Sequence, residues 1–377
     1  MGSNRGRVSA LVVVVLLLVA VVVWWRRPHE TSNTISTSIT DAGSIAIHTN
    51  TPASHMPAAP NSGGNEPPVA VALPPASDAS AERMHVFATA PWGSALGQLG
   101  HDRPHEANPE GPMSLTSDAH GNVFVLDNVN RRLVRYDRDG HAAQAFPLSQ
   151  GAPQDVAVAR DGSMAVLDRH ADQNVTILGP DGATRGTLPL VGTGITEAGA
   201  VTSMIVDGND VYVEREHGPL VRIGDINGTA DPTRGEIPGR PTRDGQSYIT
   251  AGLIDPTAGR FYVNSIARDT GDHRWTRELH VELTLLGILL LDTDLHGTIY
   301  TAVLGTPPGA EENHGAADIV GLMCLDPTDG HPIGQIVLPP NTLPEESFRE
   351  ITVLDEGGVV YQLRDEHGVS LQRYNCN

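Results

Sequence analysis

One pattern recurs along this chain at a fixed interval, and that recurrence limits the fold more than any other property. Gly121-Asn-Val-Phe-Val-Leu-Asp127 is a turn glycine followed by an apolar run that closes on aspartate. Asn128-Val-Asn-Arg-Arg-Leu-Val-Arg-Tyr-Asp137 and Gly140 come next. The chain then repeats itself through Asp155-Val-Ala-Val-Ala-Arg-Asp-Gly162, Ser163-Met-Ala-Val-Leu-Asp168, Val175-Thr-Ile-Leu178 and Pro180-Asp-Gly182. Gly121 to Gly162 and Asp127 to Asp168 both span 41 residues, and Gly140 to Gly182 spans 42. Self-similarity at this period means a stacked or radial array of one small unit.

Each unit reads as a strand, an Asp-Gly or His-Gly turn, a β-branched second strand, a polar loop, a third strand, another Asp-Gly turn and a fourth strand. That is one blade of a β-propeller. Four weaker copies follow. Ser203-Met-Ile-Val-Asp-Gly208 precedes Val211-Tyr-Val-Glu214, and Thr250-Ala-Gly-Leu-Ile-Asp255 precedes Arg260-Phe-Tyr-Val-Asn264. Leu289-Leu-Leu-Asp292 precedes Thr298-Ile-Tyr-Thr301, and Glu350-Ile-Thr-Val-Leu-Asp355 precedes Val359-Val-Tyr-Gln362. The expectation is an all-β, six-bladed propeller of four-stranded antiparallel blades over residues 83–377. A β-sandwich is the competing class, and the near-constant spacing of the first two copies weighs against it. The last copy stops after its third strand, at Leu371–Cys376. Met84-His-Val-Phe-Ala-Thr89 has strand character but no blade of its own, so it is expected to supply the missing strand and remove an open edge.

Residues 1–27 read as a membrane anchor, with a transmembrane helix over about residues 8–25. Its length is near the lower limit for a spanning helix. Arg5 and Arg7 precede it, and Trp24, Trp25, Arg26 and Arg27 form an interfacial stop rather than a small-residue cleavage site. Residues 28–82 are rich in Ser, Thr, Pro and Ala and are expected to be a disordered linker. The basic residues on the two sides nearly tie. A single-pass anchor before a long polar chain favours an extracytoplasmic propeller, periplasmic or extracellular.

A formal net charge of −20 repels phosphate backbones, so no nucleic-acid partner is expected. All 25 basic residues are arginine, which excludes Schiff-base, lysine-base and P-loop chemistry. Cys324 and Cys376 lie in no zinc pattern. They either pair in an oxidising compartment, stabilising by about 4 kcal/mol in the chain-entropy model, or remain two buried thiols in different blades.

The string from Gly121 to Asp137, with Asp127, Asn130 and Arg131 at its middle, resembles the NHL repeat. The second copy keeps Asp168, and the later copies keep only the strand pattern. Phe261-Tyr-Val-Asn-Ser265 also resembles YVTN-type blades, and no Trp-Asp dipeptide supports a WD40 propeller. Glu110-Gly-Pro-Met113, followed by strand, turn and Val125-Leu-Asp127, resembles the opening motif of SMP-30-type lactonases. That resemblance implies Glu110 as a divalent-metal ligand, but the matching asparagines of later blades are absent. Ser203-Met-Ile and Gly252-Leu-Ile stand in their place.

Asp127, Asp168, Glu214 and Asn264 are expected at equivalent ends of second strands, as a ring of oxygen ligands or as residues that fix the following loops. His170 and His217 fall in matching loops, and His101 and His105 lie before the first inner strand. The Asp-Gly clusters are expected to be turns rather than calcium loops. Two inserts, Gly224–Gln246 with Arg234, Arg240 and Arg243, and Gly305–Ala317, are expected to be contact surfaces. These features together suggest a binding scaffold that presents loops to a protein or small-molecule partner and needs no cofactor. The alternative is a lactonase- or esterase-like hydrolase using a divalent cation, calcium or zinc, on Glu110.

Overall fold

Short β-branched segments that alternate with Asp-Gly turns can bury both faces only if successive hairpin stacks lie face to face. The computed structural model, which describes residues 68–73, 84–308 and 318–376, arranges them in that way. Two strands precede the first blade, β1 (Val69–Val71) and β2 (Met84–Pro91). The first blade is β3 (Ser114–Ser117), β4 (Val123–Asp127), β5 (Arg132–Tyr136) and β6 (Ala142–Pro147). The second is β7 (Asp155–Val158), β8 (Met164–Asp168), β9 (Asn174–Leu178) and β10 (Thr184–Pro189). The third is β11 (Val201–Asp207), β12 (Asp210–Arg215), β13 (Leu220–Asp225) and β14 (Glu236–Ile237).

The fourth blade is β15 (Arg240–Pro241), β16 (Ser247–Asp255), β17 (Arg260–Ala267) and β18 (His273–Val281). The fifth is β19 (Thr284–Thr293), β20 (Ile299–Thr306), β21 (Ile319–Leu325) and β22 (Pro332–Leu338). The sixth has β23 (Ile351–Val353), β24 (Val359–Asp365) and β25 (Gly368–Tyr374) in sequence, and its fourth strand is β2. The fold is therefore an all-β six-bladed propeller. Its ring closes where Met84 pairs with Tyr374 and Pro91 with Gly368 in antiparallel register, so the expected closure by the segment at 84–89 is borne out.

The apolar core lies between blades. Phe124, Leu126 and Phe146 of the first blade meet Val156, Met164 and Val166 of the second. Leu167 and Ile177 of the second meet Val201, Met204 and Val213 of the third. The closing strand contributes Ala88 and Ala90 against Val125 and Val134 of the first blade. Gly140 holds φ 82° there, and any Cβ at that position would strike the carbonyl oxygen of Phe87 in β2. A side chain at residue 140 would thus push the closing strand away from its neighbour.

Three expectations need correction. First, the fourth blade begins one strand earlier than its sequence pattern indicates. Its inner strand is the two-residue β15, so Thr250–Asp255 lies in the second strand and Asn264 in the third. Asn264 is therefore not equivalent to Asp127; Asp255 is. Second, the segment expected to be a disordered linker contains β1, which pairs in parallel with β18 as a fifth, outermost strand. Val71 is 3% exposed, Leu73 packs into the same cluster, and the Gln335 side-chain amide donates to the Ala72 carbonyl. Burying an aliphatic side chain of this kind is worth roughly 1.5–3 kcal/mol, which offsets part of the ordering cost of a short strand. Third, Gly224–Gln246 is no free-standing insert, because it supplies β14 and β15.

The apolar run at residues 8–25 and most of the insert at 305–317 lie outside the described residues.

Cys324 in β21 and Cys376 after β25 form a disulfide across 52 residues, with Cα atoms 6.3 Å apart. Their different blades are ring neighbours, which is why the phasing did not separate them in space.

Candidate functional site

Each inner strand runs toward the same end of the ring and turns there into the second strand. Acidic turn residues recur at these six corners, at Asp118, Asp161, Asp207, Asp244, Asp294 and Asp355. In four of them the carboxylate accepts backbone N–H groups of its own turn, as Asp118 does from His120 and Asn122, both at 2.9 Å. Asp161 accepts from Ser163, Asp244 from Gln246 and Asp294 from His296. The Asp-Gly clusters are turn devices.

Between these corners lies a cavity of about 360 Å³ on the ring axis. That volume falls in the range of small-molecule sites. Four arginines line it, Arg160, Arg240, Arg243 and Arg349, together with Asp207, Asp244, Asp292 and Asp355. Arg243 lies in the turn that follows β15. Its Nη1 donates to Asp355 at 2.7 Å and its Nη2 to Asp292 at 2.8 Å. Burial alone would lower the Arg243 pKa, but the two aspartates hold it above its ordinary value. Burial likewise opposes ionisation of Asp292, yet Arg243 and then Arg240 hold its carboxyl below the usual range. Arg243 and Asp292 therefore both stay charged near neutral pH.

The inner end of the cavity is formed by Arg349. This residue precedes β23 but reaches across the axis: its Nη2 donates to Asp155 in β7 at 2.6 Å and to the Met204 carbonyl in β11 at 2.9 Å. Asp155 is fully buried and also accepts from Ser114 Oγ at 2.7 Å. Phe348, one residue earlier, packs against the core between the second and third blades, and the Arg169 guanidinium lies 5.0 Å over its ring. The connection from β22 to β23 thus spans the axis.

Asp127, Asp168 and Glu214 lie on the opposite face, where second strands end, while Asn264 sits midway along β17. Asp127 is fully buried, and its carboxylate accepts from Gly100 N at 2.9 Å, Asn130 Nδ2 at 2.8 Å and Arg132 Nε at 2.8 Å. Asp168 accepts from Ala152 N and Ala171 N, both at 2.8 Å, and from His170 N. Both carboxylates are therefore consumed in fixing loops. Glu214 accepts from Thr202 Oγ1 at 3.2 Å. Asn264 bonds Thr250 and Thr276 within its own blade. Arg131 and His217 hold left-handed backbone, with φ 51° and 55°, and their side chains are exposed, as is that of His170.

Glu110 is exposed, and Asn128 Nδ2 approaches its Oε2 at 3.4 Å. Among the described residues no group of three or more His, Cys, Asp and Glu side chains stands close enough to hold a metal ion. On the same face, Glu345 was not singled out from sequence. Its side chain is fully buried, and its Oε1 lies 2.6 Å from both His101 Nε2 and Arg103 Nε. Burial opposes its ionisation, but Arg103 and His101 hold the carboxyl below its ordinary range. Trp92 stacks on His101 with ring centroids 4.4 Å apart. No sequence signal marks Glu345, which lies in the connection between the fifth and sixth blades.

No protein-family model matches the chain. No curated protein matches it either. Solved structures are similar at low identity. Hydrazine synthase of Kuenenia stuttgartiensis is 13% identical over 70% of this chain and 78% of its own, with a TM-score of 0.44. A streptogramin B lyase is 12% identical over 74% and 98%, with a TM-score of 0.39. U3-55K is 10% identical over 78% and 99%, with a TM-score of 0.47.

Of the inserts expected to make contacts, one does reach the cavity. Arg240 and Arg243 line it, whereas Arg234 turns away and donates to the carbonyls of Pro189, Leu190 and Val191 in the second blade and the loop after it. In the sequence, Arg160, Asp292 and Asp355 stand only as parts of strands and turns, and Arg349 falls outside every repeat segment.

Proposed function

We propose that this chain is a membrane-tethered, extracytoplasmic binding propeller with NHL-like blades, whose partner, a small molecule or a projecting protein loop, engages the axial cavity. The observation that supports it most is the cavity itself. Its wall draws side chains from all six blades, and Arg243, Asp292, Asp355 and Arg349 are already held in ion pairs. Groups fixed before a ligand arrives lose little freedom on binding, which is the property a recognition site needs. The Cys324–Cys376 bond supports an oxidising compartment. The Trp- and Arg-flanked apolar run supports the tether.

One experiment tests both halves. The full-length chain is alkylated in intact host membranes without reductant, released in mild detergent and weighed by native mass spectrometry. The expected mass shows no alkyl adduct and carries a non-covalent ligand. Two alkylated cysteines contradict the compartment, and a chain that stays bare with and without host extract contradicts the binding role.

A further inference from the structure

The donors and acceptors of the cavity are unequally used. On the acidic side, Asp207 gives both oxygens to Arg268, at 3.3 and 2.5 Å. Asp292 gives one oxygen to Arg243 and the other to Thr293 N. Asp355 gives one to Arg243, and Asp244 gives one to Gln246 N. On the basic side, Arg243 uses both terminal nitrogens. Arg240 makes one hydrogen bond, from Nη2 to Ser203 Oγ at 3.0 Å. Arg160 makes one long bond, from Nη2 to the Arg243 carbonyl at 3.3 Å, and so rests beside the segment that carries Arg240. Among the described residues, neither Arg160 nor Arg240 has a carboxylate within ion-pair distance. A guanidinium offers five N–H groups, so two cationic forks at the cavity wall keep most of their donors uncommitted.

Resting on the cavity as the ligand site, we infer that its ligand is a small polar acid whose oxyanion, a carboxylate or phosphate, is seated on Arg160 and Arg240. Planar forks of this kind match the two oxygens of such a group, and charge-assisted bonds to it are about twice as strong as neutral ones. The second oxygens of Asp244 and Asp355 meet hydroxyl or amino donors on the rest of the ligand. The net charge of −20 repels long polyanions from the whole surface, while the axial site admits an acid of a few carbons.

The test titrates the full-length chain in detergent with inorganic phosphate, L-glutamate and glycerol phosphate, against glycerol and putrescine, by thermal melting and calorimetry. At least one acid is expected to raise the melting midpoint saturably, by several degrees. Arg240→Gln and Arg160→Gln are each expected to weaken it about tenfold, the equivalent of one lost charge-assisted bond. Because Arg240 also bonds Ser203 Oγ and helps hold Asp292 ionised, each variant's response is read as the shift from its own unliganded midpoint. An acid effect that survives both substitutions marks an adventitious anion and overturns the inference. So does silence of all three acids up to millimolar concentration, or a response to glycerol or putrescine alone. A natural ligand without an acidic group overturns this assignment while leaving the binding role intact; a bare chain in native mass spectrometry overturns the binding role itself.

Discussion

Arg349→Ala is expected to lower the unfolding free energy of the full-length chain by about 3–5 kcal/mol, the usual cost of removing one partner of a buried ion pair. The arginine is 18% exposed and its partner Asp155 is fully buried. After truncation Asp155 keeps only Ser114 Oγ and the amides of Met204 and Val156. Those neutral donors do not replace a cation inside the ring. The loss is larger than for an ordinary surface pair because Arg349 ties the connection before the sixth blade to the second and third blades at once. Denaturant melts of the wild type, Arg349→Ala and Arg349→Leu combined with Asp155→Leu read the effect. The double variant is expected to recover part of the loss, since a paired apolar replacement leaves no buried charge behind. A single-variant loss below about 1 kcal/mol, the scale of an exposed pair, would contradict this role for Arg349.

The second large effect concerns closure. A chain starting at residue 67 is expected to keep a single cooperative melt, because β1 and every blade are retained. A chain starting at residue 92 is expected to lose it. That deletion removes β2, leaves β25 as an unpaired edge, and uncovers Val125 and Val134 of the first blade on one side and Leu371 on the other. An exposed apolar edge of this length also recruits other chains, so the shorter protein should aggregate. A soluble monomer from residue 92 that melts at the parental midpoint would show that the ring does not depend on its N-terminal strand.

Much of the architecture was legible because the first two blades keep their turn glycines at near-constant spacing, and because the sixth copy visibly lacked a fourth strand. The fourth blade slipped by one strand for a physical reason. Its inner strand is two residues long in a Gly-, Pro- and Arg-rich stretch, while the nine-residue β16 reads more readily as a strand opening a repeat. That slip carried Asn264 into the wrong class. β1 was hidden because three residues, Val69–Val71, carry no pattern of their own and gain their stability from β18 and Leu73's neighbours.

The site was harder. Aspartates closing second strands are regular along the chain, so they drew attention to one face. Asp127 and Asp168 turn out to be saturated by the loops they hold. The cavity instead depends on Arg349 crossing the axis and on Arg243 meeting Asp292 and Asp355, from 49 and 112 residues away. Pairings at such separations leave no local spacing to read. Only the insert containing Arg240 and Arg243 pointed in the right direction, and it did so as a loop of unusual length rather than as a wall of the channel.

The central claim is that recognition takes place at the end of the ring where inner strands turn. It is tested most directly by placing a photo-crosslinking side chain in the full-length protein at residue 119, on the cavity, or at residue 131, on the opposite face. Adducts from residue 119 that are lost on adding excess unlabelled ligand or partner, with none from residue 131, are the predicted result. Adducts from residue 131 alone would put recognition on the face of Asp127 and Asp168 and contradict the account.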